Sequence, residues 1–263
     1  MQDLDQLIQE IHRLDKAYRS GNPEVTDKQF DALWNTVKNL DPNNDIFKSP
    51  MGGNKLPSLN NYSFEKWFNS LEPNTDFVVQ PKIDGCAVAL VYKYNQLVGA
   101  YTRKGKDVLD AMKTISNIPQ SISNTFGFDN EIVIRGELYG KGLAPSTSQR
   151  LAAGHLRKRC PTGEGLAFCA FQIINANLGT EFKALDQLMQ WKFEVCGHIA
   201  ITENHLQSVK IIFNSWEDSR IFSKYPTDGI VVKINDHNYQ IELDHNGTAP
   251  RWAIAVKEWW DDD

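Results

Sequence analysis

The sequence predicts an α+β fold in which mostly antiparallel strands follow a small helical hairpin. In the first 40 residues, apolar side chains recur at the three- and four-residue spacing that places them on one face of a helix. From about residue 77 onward, short segments rich in valine, isoleucine and aromatic residues show the alternation typical of strands. Helical patterns interrupt these segments, so we expect sheets flanked by helices.

The helical hairpin is predicted at residues 3–18 and 26–40. Its two apolar stripes are formed by Leu4, Leu7, Ile8, Ile11 and Leu14, and by Phe30, Leu33, Trp34, Val37 and Leu40. The second helix begins with a capping box in which Thr26 is the N-cap and Gln29 reaches back. Proline, glycine and asparagine then break the chain, so we predict a helical subdomain at 1–45 and a larger domain at 46–263.

The larger domain is predicted to alternate strands with a few helices. We expect strands at 77–81, 86–94, 97–103, 131–139, 166–174, 209–213, 229–235 and 253–259, and helices at 63–71, about 105–116 and 181–196. The pair Asn95-Gln96 predicts a hairpin turn between the second and third of these strands.

Composition excludes several classes of protein. The net charge of −5 argues against a protein held on nucleic acid by bulk positive charge, although a local basic face remains compatible with it. The four cysteines form no C-x-x-C pair that would indicate a zinc knuckle, and we interpret them as packing residues. No signal peptide or membrane-length apolar run occurs, so we expect no membrane association and a reducing cytoplasm.

A lysine lies within an otherwise apolar strand in the stretch QPKIDGCAVAL at 80–90. Such a setting is unnecessary for a surface lysine, but it suits a nucleophile. A free lysine has a pKa of about 10.4 and is almost never neutral at pH 7, and partial burial beside other cations disfavours the charged form. Lys82 is therefore a candidate nucleophile.

Further charged residues end or interrupt other apolar strands. They are Arg103, Glu137, Asp228, Lys233 and Lys257. Strand alternation puts Lys233 on one face with Val231, and Lys257 on one face with two small alanines that leave room beside it. Lysines of this kind also occur on edge strands, where they discourage aggregation. Because several charged residues of this kind occur together, a polar cleft is favoured over a set of edge-strand lysines.

The motifs, taken in order, resemble those of a known superfamily. They are KLPSLNN at 55–61, PKIDGCAVAL at 81–90, RGELYG at 135–140, LAAGHLR at 151–157, TDGIVVKIN at 227–235 and TAPRWAIAVK at 248–257. They resemble the covalent nucleotidyltransferases, and more narrowly the adenylation domain of NAD-dependent DNA ligases. NPEVTDKQFDALW at 22–34 resembles that family's nicotinamide-recognition subdomain. The resemblance implies a nucleotidyltransferase fold at 46–263 and a leader that recognises nicotinamide mononucleotide at 1–45.

The resemblance implies a covalent mechanism that uses NAD and Mg²⁺. Lys82 would attack the α-phosphorus of NAD and expel nicotinamide mononucleotide, and AMP would then pass to the 5′-phosphate of nicked double-stranded DNA. Lys233 and Lys257 would offset charge on the phosphoryl oxygens. Asp84 would orient the amine or a metal, or else serve as a turn residue. Asp228 would help to hold Mg²⁺.

The resemblance also implies contacts to the nucleotide. Ser58 and Leu59 would line the adenine site, Gln80 would accept from the adenine amino group, and Glu137 would bind the ribose hydroxyls. Phe171 would stack on adenine, although a buried strand residue is an equal interpretation. Arg103 and Arg157 are candidates for contacts to phosphate or ribose, and Arg220, eight residues before Asp228, matches another arginine of the family.

The leader is expected to bind the cationic nicotinamide mononucleotide. Asp27 and Asp31 lie four residues apart, and so share one helix face beside Phe30. Tyr18 falls where the family has an aromatic-histidine pair, so it is a further expected contact. The alternative is a solvated helix N-terminus, where aspartate is favoured in any case.

Several positions depart from the family pattern. Gln80 replaces a glutamate, Ala17-Tyr18 the aromatic-histidine pair, Phe30 a tyrosine and Gln149-Arg150 an Arg-Asn pair, while TRKGKDV at 102–108 shortens a glycine-rich segment. The chain also ends soon after Lys257, whereas the family continues with OB, zinc, helix-hairpin-helix and BRCT domains. We therefore expect a small viral or split-subunit form, or a piece of a longer protein, with a second subunit or the missing domains supplying the OB fold.

Two other functions remain open from the sequence. One is an ATP- or GTP-using RNA ligase or capping enzyme, although the leader and TAPRWAIAVK favour the NAD-dependent family. The other is a catalytically silent scaffold that binds nucleotides or DNA ends.

Overall fold

A computed structural model describes residues 4–19, 24–25, 29, 32–33, 36–37, 40–41, 59, 63–123, 131–203, 205–243 and 249–259. The chain divides into two compact units, Met1–Asn54 and Lys55–Asp263. The first unit thus extends somewhat beyond the boundary at residue 45. The assignment of a recognition function to one part and catalysis to the other stays a prediction.

The first unit contains the predicted helix α1 at Leu4–Arg19. Leu7, Ile11 and Val37 form its buried core, with Leu4, Ile8 and Leu33 packed against them. Residues 32–33, 36–37 and 40 are helical, which agrees with a second helix in the hairpin. Leu40 is nevertheless 60% exposed, so its placement on the apolar stripe was wrong. Thr26 lies outside the described residues.

The second unit contains two four-stranded sheets and several helices. Its elements are α2 Phe64–Phe68, β1 Phe77–Ile83, β2 Cys86–Lys93, β3 Gln96–Thr102, α3 Leu109–Lys113, β4 Glu131–Gly140, α4 Pro145–His155, β5 Leu166–Ile173, α5 Glu181–Gln190, β6 Ile199–Ile201, α6 His205–Glu217, β7 Thr227–Ile234, α7 His237–Leu243 and β8 Ala253–Val256. The first sheet has the order β6-β1-β7-β8 and the second β3-β2-β4-β5. All neighbouring strands are antiparallel, which confirms the predicted α+β class.

Alternation along the first sheet separates its two faces. On one face, Val79 of β1 and Ile230 and Val232 of β7 pack with residues of α2 and α6, including Trp67 and Phe213. A second core joins Val78 of β1 to strands of the second sheet and to α3 and α5. The face of the first sheet that bears the odd-numbered residues of β7 is thereby turned toward the second sheet.

Two local predictions differ from the structure. Residues 209–213 lie in helix α6 rather than in a strand, because Val209 and Phe213, four residues apart, are both buried while Ile211 between them is 55% exposed. The hairpin turn lies at Tyr94 and Asn95, one residue earlier than predicted, and both residues have positive φ as a type I′ turn requires.

Other element boundaries also shift. The predicted helix at 181–196 ends at Gln190, because Lys192 adopts a left-handed conformation with φ 66°. Elements α4, β6 and α7 were not predicted. Among the described residues, no helix is both long and apolar enough to cross a bilayer.

Candidate active site

A cavity of about 390 Å³ lies between the two sheets of the second unit. The first sheet lines it with Gln80, Lys82, Val231, Lys233, Ala253, Ala255 and Lys257, and the second sheet with Ala87, Arg135, Glu137 and Phe171. Leu59 and Arg103 also contribute. Alternate residues of β1, β7 and β8 therefore face one space, and its size is that of a typical small-ligand site.

Two lysines at the cavity share one carboxylate. The Nζ atom of Lys82 donates to Oδ1 of Asp228 at 2.6 Å, and Nζ of Lys257 lies 2.7 Å from Oδ2 of the same side chain. The Lys82 and Asp228 side chains are 25% and 29% exposed. Burial acts to raise the pKa of Asp228, but the hydrogen bonds from Lys257 and Lys82 outweigh it and hold the pKa below its usual value. The expected nucleophile is thus held beside the cavity.

An irregularity in β7 allows Asp228 to reach this position. The register between β1 and β7 shifts between Pro81 and Ile83. Gly229 has φ 150°, and a β-carbon there would meet the carbonyl oxygen of Val256. Asp228 and Lys233 are five residues apart, so an unbroken strand would place them on opposite faces. The irregularity turns both toward the same side.

The segment after Lys82 is pinned by backbone contacts. The amide of Asp84 donates to the carbonyl oxygen of Pro226 at 2.7 Å, and the Ser148 hydroxyl donates to the Asp84 carbonyl oxygen at 2.9 Å. Burial raises the pKa of the Asp84 carboxyl and the charge of Asp228 raises it further, against the opposing effect of the lysines. Asp84 therefore lies within electrostatic reach of the Lys82 and Asp228 pair.

Gly85 is required for a close approach between strands. A β-carbon at Gly85 would collide with the carbonyl oxygen of Leu138 on β4. The amide of Gly85 also hydrogen-bonds to Glu137. Burial raises the pKa of Glu137 to about 8, despite the nearby positive charges of Arg135 and Lys82. The protonated form of Glu137 is therefore favoured relative to an ordinary carboxyl group.

Lys233 lies in a different environment from the other two lysines. Its Nζ donates to Oε1 of Glu181 at 2.6 Å and to the carbonyl oxygen of Phe171 at 2.8 Å. The Lys233 and Glu181 side chains are only 5% and 2% exposed. Burial would raise the pKa of Glu181, but the charge of Lys233 and the hydrogen bonds from His237 and Lys233 hold it at about 2. The result is a buried ion pair.

Two cations lie near the ring of Phe171 at this end of the cavity. Nζ of Lys233 is 5.3 Å from the ring centroid and Cζ of Arg135 is 5.6 Å from it. Burial lowers the pKa of Arg135 to about 10. Gln80 is 2% exposed and its amide nitrogen lies 3.5 Å from Sγ of Cys196. Gln80 also lines the cavity.

Comparison with known families identifies the chain. The model of the NAD-dependent DNA ligase adenylation domain family matches residues 58–144 and 143–258. The chain belongs to this family. The DNA ligase of Ehrlichia ruminantium (strain Welgevonden) is 28% identical over 302 residues, covering 97% of this chain and 44% of the relative. The DNA ligase of Mycoplasma genitalium is 29% identical over 309 residues, covering 98% and 46%.

The adenylation domain spans about half the length of the curated relatives it matches. Among solved structures, an archaeal ATP-dependent RNA ligase is 15% identical with a TM-score of 0.48, covering 78% of this chain and 48% of that one. Family membership confirms the predicted recognition and the predicted nucleotidyltransferase fold.

The structure brings together only part of the set that the sequence predicts for an adenylation domain. Lys82, Lys257 and Asp228 meet, whereas Lys233 pairs with Glu181 instead. Lys233 and Lys257 thus line one cavity but have different carboxylate partners, and their convergence on the phosphates of a nucleotide stays a prediction. Leu59, Gln80, Arg103, Glu137 and Phe171 line the same cavity as the lysines.

Other predicted residues are not placed at the cavity. Arg220 pairs with Asp218 on the surface, and Nε of Arg157 donates to the carbonyl oxygen of Ala153. Ser58, Asp27, Phe30 and Asp31 lie outside the described residues, and of Tyr18 only the helical backbone is described. Glu181 and Arg135 were missed, because a glutamate in a first helical turn and an arginine on a strand carry no distinctive signal.

The family implies a Mg²⁺ ion. The carboxylates near Lys82 fit such an ion when substrate phosphates and water complete its coordination. Within the described part of the chain, no group of three or more histidine, cysteine or acidic side chains could hold a metal ion. Asp228 and Asp84 offer the oxygen ligands that Mg²⁺ prefers. This set fits an ion that is bound by one or two carboxylates together with substrate phosphates and water.

Proposed function

We propose that this chain transfers AMP from NAD to its own Lys82 and then to the 5′-phosphate of nicked DNA, as the adenylation component of a DNA ligase. The observation that carries the proposal is the pair of lysines that shares Asp228 beside a nucleotide-sized cavity. Family membership supports NAD as the donor and DNA as the acceptor. We expect the reaction to occur in the cytoplasm.

The covalent step places Lys82 against the α-phosphorus. Its unprotonated Nζ forms the phosphorus–nitrogen bond while the bond to the bridging oxygen breaks, and nicotinamide mononucleotide leaves with the electron pair. The proton lost by the amine passes to solvent or to a neighbouring carboxylate. Asp228 orients Nζ, and Lys257 offsets charge on the non-bridging oxygens. Mg²⁺, held by Asp228 with Asp84, would supply further stabilisation of the phosphate charge.

The other end of the cavity is proposed to bind the adenosine portion. Phe171 offers a ring face for stacking, and the Gln80 oxygen would accept from the adenine amino group. Lys233 has three N–H donors and uses two within the protein, so the third is available to a ring nitrogen. Glu137, with its pKa of about 8, would hydrogen-bond to the ribose hydroxyls. Lys233 therefore serves the base rather than the phosphates.

Adduct formation tests this proposal directly. The chain is incubated with Mg²⁺ and, separately, NAD, ATP or GTP, and its mass is measured. We expect an AMP adduct from NAD alone, and none in Lys82→Ala. An adduct from ATP or GTP would support the RNA ligase or capping alternative, and no adduct from any nucleotide would support a silent scaffold.

The leader's role requires a separate comparison. We propose that Tyr18, Asp27, Phe30 and Asp31 contact the nicotinamide mononucleotide half of NAD. Asp27→Ala and Asp31→Ala should then slow adduct formation from NAD, yet spare AMP transfer to nicked DNA from protein that is already adenylated. Equal losses in both assays would contradict this assignment. The proposal for DNA sealing also includes a second subunit or further domains that supply the OB fold and the grip on DNA.

A further inference from the structure

Glu181 is the most deeply buried carboxylate near the cavity, and the mechanism does not use it. It is the first residue of α5, where Thr180 is the N-cap, and it is 1% exposed. Its carboxylate meets Lys233 from β7, and His237 and Gln240 from α7. Side chains from three separate elements thus converge on one charged group, which the sequence does not indicate.

Both carboxylate oxygens of Glu181 accept hydrogen bonds within this network. Oε1 accepts from Nζ of Lys233 at 2.6 Å, and Oε2 lies 3.3 Å from Nε2 of His237 and 3.4 Å from Nε2 of Gln240. The amide of Leu178 donates to Nδ1 of His237 at 3.3 Å, so the imidazole proton is on Nε2. Oε2 therefore accepts from the imidazole and from the Gln240 amide, while Oε1 accepts from the ammonium of Lys233.

The carboxylate is itself anchored to the strand that bears Lys233. Nε2 of Gln240 also donates to the carbonyl oxygen of Ile234, the next residue along β7, at 2.6 Å. The amide of Glu181 donates to the carbonyl oxygen of Asn235 at 2.7 Å. Backbone and side chain of Glu181 are thus tied to the same stretch of chain, so the ammonium of Lys233 has one orientation.

We propose that Glu181 is a positioning residue for nucleotide binding, because it holds Lys233 so that its one remaining N–H is directed into the cavity. The acceptor would be an atom of the nucleotide base. This inference rests on the proposed function insofar as a nucleotide occupies the cavity. It predicts that Glu181 affects affinity through Lys233 alone.

The test is a double-mutant cycle read by AMP affinity, measured by titration calorimetry on the full chain. Glu181→Gln and Lys233→Met should each weaken AMP binding at least about 10-fold, the loss expected for one hydrogen bond from a charged donor. The double variant should lose no more than Lys233→Met alone. Thr180→Val removes the hydroxyl that caps the same helix start, and should leave AMP affinity unchanged.

A second variant covers the case in which Glu181→Gln does not fold. Gln240→Met keeps both charges and removes one hydrogen bond to the carboxylate, so a several-fold loss of AMP affinity is expected. Wild-type affinity in Glu181→Gln or in Gln240→Met would overturn the proposal. Losses that add in full in the double variant, or a wild-type chain that does not bind AMP, would do the same.

The two proposals can fail separately. Adduct formation by the wild-type chain with NAD reports on the proposed function and is independent of the variants at residue 181. A chain that forms the adduct but shows no coupling between Glu181 and Lys233 loses only this inference. A chain that couples the two residues in AMP binding but forms no adduct loses only the proposed reaction.

Discussion

The lysines at the two ends of the cavity differ in their carboxylate partners and in how deeply those partners are buried. At one end, Lys82 and Lys257 share the partly exposed carboxylate of Asp228. At the other end, Lys233 pairs with the buried carboxylate of Glu181, which no other lysine contacts among the described residues, and also donates to a backbone carbonyl oxygen. A shared, partly solvated partner can be exchanged for an incoming phosphate, whereas a buried pair cannot separate without leaving a charge uncompensated. The first arrangement suits chemistry and the second suits fixed recognition.

The carboxylates of Glu181 and Glu137 also differ, in this case in their pKa. Burial affects both Glu181 and Glu137, yet the pKa of Glu181 is about 2 and that of Glu137 is about 8. Lys233 donates directly to Glu181, whereas the pKa of Glu137 is lowered by the charges of Arg135 and Lys82 and by the amide of Gly85, and raised by the charge of Asp84. The direct ion pair therefore opposes the effect of burial on the pKa of Glu181 more strongly than the nearby charges do for Glu137.

The largest effect is expected at the shared carboxylate. Asp228→Asn should slow adduct formation from NAD at least about 100-fold, because both lysines lose their common charged partner. Asp218→Asn, which alters the surface pair with Arg220, is the matched control and should react at the wild-type rate. Wild-type kinetics in Asp228→Asn would show that sharing Asp228 has no catalytic value.

The buried ion pair of Lys233 and Glu181 should make the free energy of unfolding depend on pH in the acid range. The pKa of Glu181 is about 2 in the folded protein and 4.5 for the ordinary carboxyl, so its contribution is present above about pH 4.5 and lost as the pH falls through 2. Denaturant unfolding should show Glu181→Gln to be less stable than wild type by about 3 kcal/mol at pH 7, with the gap closing toward pH 2. Glu217→Gln on the exposed surface of α6 should show neither effect. A pH-independent gap would contradict the ion pair.

The contribution of Glu137 to stability should change with pH in the opposite direction to that of Glu181. Its folded pKa of about 8 exceeds the ordinary 4.5, so wild-type stability is full below about pH 4.5 and declines as the pH rises through 8. Glu137→Gln lacks this decline, and should be more stable than wild type by on the order of 2 kcal/mol at pH 8, with slower adduct formation. The exposed Glu164→Gln provides the control in the same unfolding series. A destabilised Glu137→Gln at pH 8 would show that the carboxylate is paired.

The smallest effect is expected for an exposed pair. Nζ of Lys93 lies 2.8 Å from Oε2 of Glu131 on the neighbouring strand, but the two side chains are 48% and 29% exposed. Lys93→Met should change the free energy of unfolding by about 0.5 kcal/mol or less, and added salt should abolish the difference. A loss comparable to that of Glu181→Gln would mean that burial does not explain the contrast between these ion pairs.

The fold and half of the site were open to prediction because they depend on local patterns. Alternation predicted that Val231 and Lys233 share a face and that Lys257 lies beside two alanines, and all of these residues line the cavity. The same local reasoning mistook residues 209–213 for a strand, because five apolar-rich residues fit either period until burial decides between them.

The sequence by itself determined the fold class, the family and the candidate nucleophile, because these are carried by short motifs and by periodicity within each element. Only the tertiary structure decided which charges meet. In the folded chain, Lys82 and Lys257 both contact Asp228, whereas Lys233 contacts Glu181. Those pairings depend on strand register, on one irregularity at Gly229 and on contacts between residues 52 positions apart, none of which leaves a local trace in the chain.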